Sequence, residues 1–164
     1  MKNLLSGILL FSCFIAFSQE LAEKYIDAGY DKYMDEDYKG AILDFNKAAS
    51  FDPGNAEIYY LRGVCKSSVE QKVEAMNDLK KAVELRPDYA EAYYEIGYLY
   101  LTDQNAEKAI EAFNKVISLN PKFPEAYVSR GTARCMQQDV EGANEDWEVA
   151  KSMGVGYTEY MKCE

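Results

Sequence analysis

The side chains of this sequence that could do chemistry are carboxylates, tyrosines and a few cysteines, and histidine is absent. Without histidine, neither a Ser–His nor a Cys–His nucleophile can be assembled. The densest carboxylate group is Asp31, Asp35, Glu36 and Asp37, but it lacks the alternating ligand spacing and the turn glycine of a calcium loop. We therefore interpret it as a solvated loop that ends in a helix cap. The pattern indicates no catalytic site, metal or cofactor, and we expect that the protein is not an enzyme.

The net charge of the chain argues against some classes of binding partner. Asp and Glu number 28 against 18 Lys and Arg, which gives a net charge of −10 at pH 7. An acidic chain without a basic stripe repels nucleic-acid backbones, and it has no Lys/Arg cluster for anionic lipid. We expect no nucleic-acid partner. The acidic pair Glu145 and Asp146, next to Trp147, is predicted to face solvent beside a core aromatic residue.

Residues 1–18 have the pattern of a secretory signal peptide. Lys2 supplies the positive charge, an apolar run follows, and small residues precede a cleavage point that leaves Gln19 as the new N-terminus. The run is shorter than the roughly 20 residues that span a bilayer, so an uncleaved anchor or a buried helix is the less favoured alternative. Apolar residues follow Cys13, which argues against a lipoprotein. We predict an exported protein, periplasmic or secreted, with no membrane insertion after cleavage.

Three cysteines remain after this cleavage: Cys65, Cys135 and Cys163. Export permits disulfides, but an odd count leaves at least one thiol unpaired. Cys135 and Cys163 are the better candidates for a pair, because a C-terminal segment could fold back onto the last helices. The favoured alternative is that all three are small, half-buried hydrophobic side chains.

A period of 34 residues runs through the chain from residue 22. Four places of the unit are nearly constant, and such self-similarity over four copies means a repeat array. Prolines close the first three copies at Pro53, Pro87 and Pro121. The constant places are four (Tyr25, Tyr59, Tyr93, Tyr127), eight (Gly29, Gly63, Gly97, Gly131), twenty (Ala41, Ala75, Ala109, Ala143) and twenty-four (Phe45, Leu79, Phe113, Trp147).

This unit resembles the tetratricopeptide repeat. The resemblance implies an all-α fold, an α-solenoid of four helix-turn-helix repeats in a right-handed superhelix, with a short C-terminal capping helix. Place eleven departs from the family, in which it is often tyrosine, because only Tyr100 matches there and the other copies have Lys32, Lys66 and Arg134. We assign the signal peptide to residues 1–18, the repeats to 22–55, 56–89, 90–123 and 124–157, and the cap to 158–164.

Apolar periodicity predicts two helices, A and B, in each repeat. Asp37, Asn105 and Asp139 are predicted N-caps of B helices. A glycine inside a helix costs about 1 kcal/mol against alanine, and we interpret Gly97 as a point of close approach to Ala109. The predicted helices are 20–34, 38–50, 56–68, 72–85, 90–101, 106–119, 124–136 and 140–153.

Each helix A has a second apolar stripe, at places five, nine and twelve, whose spacings of four and three put it on one face. The resemblance implies that helix A lines a concave groove for a peptide, and tyrosine suits such a surface. The alternative is that these side chains pack, half exposed, between successive A helices. Replacing Tyr94 and Tyr98 by alanine is expected to abolish partner capture without changing the melting curve. The predicted groove comprises Ile26, Tyr30, Tyr33, Tyr60, Val64, Tyr94, Tyr98, Leu101, Val128 and Thr132.

Repeats of this family that grip the C-terminal carboxylate of cytosolic chaperones have basic and amide residues on this face. Glu91 and Glu95 stand at such places here and would repel a carboxylate, so the groove should favour apolar or basic segments. Two functions follow: an exported adaptor or scaffold that binds a peptide or partner protein, and a chaperone-like or assembly-accessory protein of the bacterial envelope. Weak self-association through exposed end repeats is a third option.

Overall fold

The computed structural model describes residues 2–156 and 161–163, and side chains from residue 17 onward within these ranges. Over this part of the chain every regular element is an α-helix. The predicted helix bounds agree with the observed ones to within one residue, except at the start of the first helix. The helices are α1 (Lys2–Met34), α2 (Tyr38–Phe51), α3 (Ala56–Ser68), α4 (Lys72–Leu85), α5 (Ala90–Thr102), α6 (Ala106–Leu119), α7 (Pro124–Met136) and α8 (Val140–Ser152).

Helix α1 begins at Lys2, not near Glu20 as predicted. No proline lies between these residues, so nothing in the chain interrupts the helix between the apolar run and the first repeat. Ser18 Oγ, close to the predicted cleavage point, donates a hydrogen bond to the carbonyl oxygen of Phe51 at 2.6 Å. None of the helices, as far as they are described, has the length and apolar character needed to cross a membrane.

The chain forms two compact units, Met1–Leu85 and Arg86–Glu164. In the first, α1 packs on α2, α2 on α3 and α3 on α4. In the second, α5 packs on α6, α6 on α7 and α7 on α8, and in both units the first helix also touches the third. Each unit is therefore a pair of helical hairpins in which the second helix of one hairpin packs on the first helix of the next.

The constant glycines make room for the side chain at place twenty-four. A Cβ atom on Gly97 would lie 2.6 Å from Cε1 of Phe113, and one on Gly131 would lie 2.5 Å from Nε1 of Trp147. We expected Gly97 to approach Ala109. The three atoms nearest to a Cβ on Gly97 belong to the Phe113 ring, whereas at Gly63 and Gly131 the carbonyl oxygens of Ala75 and Ala143 are among the nearest atoms, at 3.3 and 3.1 Å. The Phe113 ring occupies the space beside Gly97 and is fully buried between the two helices. The short side chain of the alanine at place twenty lets the two backbones pack closely.

The turns inside the hairpins share one geometry. Asp37, Asn105 and Asp139 each accept a hydrogen bond from a backbone N–H in the first turn of the following helix, which confirms the three predicted caps. The residue at place fifteen has a positive φ of 57–65° in every hairpin although none is glycine. The left-handed residues are Glu36, Glu70, Gln104 and Gln138.

The cysteines divide into one disulfide and one free thiol. Cys135 and Cys163 are bonded, with their Cα atoms 5.3 Å apart, so the favoured prediction of three unpaired side chains was wrong for this pair. Cys65 is unpaired, as predicted, but it is fully buried and not half buried. Burial raises the pKa of its thiol to about 11 because the thiolate loses hydration. Such a thiol is unreactive at neutral pH.

The predicted capping helix over 158–164 is not observed in the residues that can be described. Met161–Cys163 have no helical conformation, and residues 158–160 and 164 lie outside the described part of the chain. A segment of this length cannot sustain a helix on its own. The disulfide to Cys135 holds Cys163 against the end of α7 instead.

Candidate functional site

The ten residues of the predicted groove, here called the tyrosine stripe, differ widely in exposure. Tyr30 and Tyr98 are each 47% exposed, whereas Val128 is only 8% exposed and belongs to the core. The remaining seven are half buried: Ile26, Tyr33, Tyr60, Val64, Tyr94, Leu101 and Thr132. The open part of the stripe is therefore place nine of the first and third repeats.

Most half-buried members of the stripe pack against the next helix. The Tyr94 ring stacks on Phe123 with centroids 5.2 Å apart and meets Phe113 at 5.7 Å. Its hydroxyl is 3.3 Å from Oγ of Ser129 on α7. Leu101 likewise packs on a cluster that contains Ala133. These residues at places five and twelve therefore pack half exposed against neighbouring helices, the B helix of their own repeat as well as the next helix A.

The first unit repeats this arrangement. Ile26, Tyr33 and Tyr60 lie against a buried cluster formed by α2 and α3, while Tyr30 stays exposed beside Tyr33 at a centroid distance of 6.1 Å. Met34, one turn further along α1, is 63% exposed. Both units therefore present one open tyrosine on the first helix of their first hairpin.

Carboxylates precede both open tyrosines on the same helix face. Glu91 and Glu95 lie seven and three residues before Tyr98, spacings that stack side chains on a helix surface. Glu95 is half buried, and burial raises its pKa because the anion loses hydration. No cation of the described residues pairs with it. In the first unit Glu23 and Asp27 hold the same places before Tyr30.

Buried aspartates at place twenty-three form ion pairs that the sequence pattern did not predict. Asp146 accepts two hydrogen bonds from Arg130, at 2.6 and 2.9 Å, and a third from Arg134 at 3.0 Å. The prediction that Asp146 faces solvent was wrong, because it is 2% exposed beneath these two arginines. Asp78 is held in the same way by Arg62 and Lys66.

Asp44 completes this set in the first repeat, where it accepts hydrogen bonds from Lys32 and Lys47. These bonds lower the pKa of the Asp44 carboxyl, and the bond to Asp44 raises the pKa of Lys47. The bond to Asp78 raises the pKa of Arg62 in the same way. The network explains the departure at place eleven: a basic residue there accompanies Asp at place twenty-three, whereas the third repeat pairs Tyr100 with Ala112.

The same contacts recur in both units, between residues whose numbers differ by 68. Arg62 donates to Asn46 Oδ1 at 2.9 Å and Arg130 donates to Asn114 Oδ1 at 2.6 Å, so in each unit an arginine links its own repeat to the one before it. The hydroxyls of Tyr59 and Tyr127 likewise bond to the carbonyls of the prolines that close the preceding repeats. Odd and even repeats therefore differ systematically.

Within the described residues, no cluster of three or more histidine, cysteine, aspartate or glutamate side chains could hold a metal ion. The open tyrosines, their carboxylates and the buried ion pairs all lie on or between helices. The open tyrosines and the carboxylates that precede them therefore form surfaces of aromatic and acidic groups on helices.

Family models and solved structures match the chain. A model described as TPR repeat matches residues 73–104, and one described as tetratricopeptide repeat matches residues 90–123. A crystal structure of MamA has a TM-score of 0.71 at 29% identity, covering 89% of this chain and 81% of that one. YrrB, a TPR protein with an unusual peptide-binding site, has a TM-score of 0.74 at 25% identity, with coverages of 96% and 86%.

MamA 41-end from Desulfovibrio magneticus RS-1 shares the fold, with a TM-score of 0.76 at 19% identity over 82% of this chain and 76% of that one. None of the curated proteins compared matches the sequence. The described helices and these structures agree on an all-α helical solenoid. The constant residues at four places in each copy, the two family matches and the shared fold lead to one conclusion: the chain is a tetratricopeptide-repeat protein.

Proposed function

We propose that the chain is an exported adaptor or scaffold that binds a peptide or partner protein on the helix faces that present Tyr30 and Tyr98. A tetratricopeptide-repeat fold supports a protein-interaction module. The observation that carries the finer proposal is the exposure of these two tyrosines at equivalent places, while the rest of the stripe is at least half buried. The proposal includes no catalytic role and no cofactor.

The chemistry of the open surface favours an apolar or basic segment. A tyrosine ring offers apolar area at a small entropy cost, and its hydroxyl stays hydrated. The carboxylates that precede both tyrosines repel acidic segments and attract basic ones. YrrB, which shares the fold at 25% identity, is a peptide-binding TPR protein, and this supports a peptide as the occupant.

A chaperone-like or assembly-accessory role is the second candidate. Met34 and Met136, both at place thirteen of an A helix, are 63% and 45% exposed. Methionine adapts to varied apolar shapes and is frequent on promiscuous surfaces. An adaptor binds one peptide class tightly, whereas a chaperone-like protein binds many apolar peptides weakly, so the spread of affinities distinguishes the two roles.

We expect Tyr98→Ala to weaken peptide binding about tenfold or more, as for an aromatic hot-spot residue, and to leave the melting temperature almost unchanged. Tyr98 is nearly half exposed, so its removal opens no cavity. Tyr94 is unsuitable for this test because it stacks on Phe113 and Phe123, and its loss would lower the melting temperature as well. The measurement is fluorescence polarisation with a set of labelled, blocked dodecapeptides of apolar, basic, acidic and mixed composition.

Val140→Ala is the matched control, because Val140 is an equally exposed apolar residue (48%) in the same unit but on α8. Its affinities should equal those of the wild type. The proposal fails if none of the peptides binds the wild-type protein, or if Tyr98→Ala binds every peptide as well as the wild type does.

The exported location is tested by the mass of the protein. Cleavage after Ser18 would leave Gln19 as the first residue and remove the apolar N-terminal segment. We expect the protein recovered from an expressing bacterium's envelope or medium to begin at Gln19, as measured by intact mass spectrometry. Recovery of only the full-length chain from the cytoplasm would contradict export.

A further inference from the structure

The chain itself shows how its tyrosines and carboxylates hold a cation. Arg130 is bound through its guanidinium to Asp146, at 2.6 Å, and the same guanidinium lies 5.5 Å from the centre of the Tyr127 ring. The carboxylate neutralises the charge and the ring face attracts it. Three cations are held in this way: Lys47 with Asp44 and Tyr25, Arg62 with Asp78 and Tyr59, and Arg130 with Asp146 and Tyr127.

Glu95 and Tyr98 also place a carboxylate beside a tyrosine ring, but here no cation of the described residues lies between them. They lie three residues apart on α5, a spacing that makes them neighbours on the helix surface. Over the described part of the chain, no lysine or arginine pairs with the Glu95 carboxylate or lies over the Tyr98 ring. The other desolvated carboxylates, Asp44, Asp78 and Asp146, all have basic partners.

The lack of a basic partner leaves the Glu95 carboxylate poorly stabilised in its ionised form. Burial raises the pKa of Glu95, which means that the ionised carboxylate is less well solvated in the folded protein than in water. A cation brought against it restores the lost stabilisation and has little competition from solvent on the buried side. Tyr98 is nearly half exposed, so a cation can approach the pair from solvent.

We propose that Glu95 and Tyr98 form a binding site for a lysine or arginine side chain of the bound polypeptide, with Glu95 pairing with the charge and Tyr98 covering it. The inference rests on the proposed function, since it requires a polypeptide on this face of α5. It specifies the partner chemistry: the segment carries a basic residue whose cation lies between a carboxylate and a tyrosine ring, as that of Arg130 lies between Asp146 and Tyr127.

The repeat pattern supports the assignment. Asp27 and Tyr30 hold the equivalent places in the first repeat, where Asp27 is exposed. The even repeats have neither group, since Leu61 and Val64 stand there in the second repeat. Acid and tyrosine therefore occur together or not at all, as expected if the pair acts as one site.

The test uses two blocked, labelled dodecapeptides, each made of three Ala-Leu-Lys-Ala units, one with free lysines and one with every lysine acetylated. Acetylation removes the charge and keeps the aliphatic stem. We expect the wild-type protein to bind the free peptide about tenfold more tightly than the acetylated one. Glu95→Gln should lose most of this preference and retain binding to the acetylated peptide. Glu111→Gln, the same change at an exposed site on α6, should keep it.

Preference that remains in Glu95→Gln should disappear when Asp27→Asn is added, because Asp27 belongs to the equivalent pair. The inference is overturned if Glu95→Gln keeps the full preference, or if Glu111→Gln loses it equally, which would indicate a non-specific effect of net charge. Binding of both peptides without preference leaves the proposed function standing and removes the inference alone. Failure of both peptides to bind overturns the inference, and failure of the whole peptide set also removes the proposed function.

Discussion

Phe113→Ala is expected to lower the free energy of unfolding of the second unit by about 3–5 kcal/mol. Phe113 is fully buried, its ring faces the bare Cα of Gly97, and it contacts the ring of Tyr94. The buried residues of its cluster are alanines, whose short side chains cannot reach into the space that the ring leaves, so most of the cavity would remain open. Urea denaturation followed by the fluorescence of Trp147, which lies in the same unit, measures the loss.

The matched control is Val140→Ala, which shortens an apolar side chain that is 48% exposed on α8 of the same unit. It should change the stability by less than about 0.5 kcal/mol. Phe113→Leu should fall between the two, because a leucine refills part of the cavity. If Phe113→Ala costs less than about 1 kcal/mol, the ring does not support the hairpin as described.

The sequence predicts the hairpins well because the repeat gives four observations of each position. A glycine at place eight in one helix is ambiguous, but four in register indicate a packing requirement. The prolines and the capping residues Asp37, Asn105 and Asp139 then set the ends of the helices locally. Local signals were enough, and the bounds of α2 to α8 agree with the structure to within one residue.

The candidate site was less predictable, because exposure depends on residues far along the chain. Tyr94 and Tyr98 belong to one apolar stripe, and nothing in α5 itself distinguishes them. Tyr94 is covered by Phe123, at the end of its own repeat, and by Ser129 of the next repeat, whereas no described residue makes a comparable contact with Tyr98. Periodicity finds the face of the helix, and only packing shows which of its residues stay open.

Asp146 was misjudged for a related reason. Its neighbours Glu145 and Asp139 suggest a solvated acidic surface, but its partners Arg130 and Arg134 are 16 and 12 residues away, on the other helix. Comparing places eleven and twenty-three across the four copies would have found the pair, since a basic residue and Asp occur together in three copies and both are missing from the third.

Asp146→Ala is therefore expected to cost about 3–5 kcal/mol of unfolding free energy. The change leaves the guanidinium groups of Arg130 and Arg134 close together and without their shared carboxylate, in a place where the two side chains are only 15% and 25% exposed. Arg134 keeps only a 3.8 Å ion pair with the half-exposed Asp139, so the two charges are poorly compensated where little water reaches them, and they also repel each other. Urea denaturation with Trp147 fluorescence again gives the measurement.

The third repeat supplies the control, because it has Ile96, Tyr100 and Ala112 at these three places. Copying that set into the fourth repeat, as Arg130→Ile with Arg134→Tyr and Asp146→Ala, removes all the charges together. Replacing a buried ion network by apolar groups is often nearly neutral, so we expect the triple variant to regain all but about 1 kcal/mol of the loss. A triple variant as unstable as Asp146→Ala alone would show that the loss reflects missing packing around Asp146 and not the loss of the carboxylate that the two arginines share.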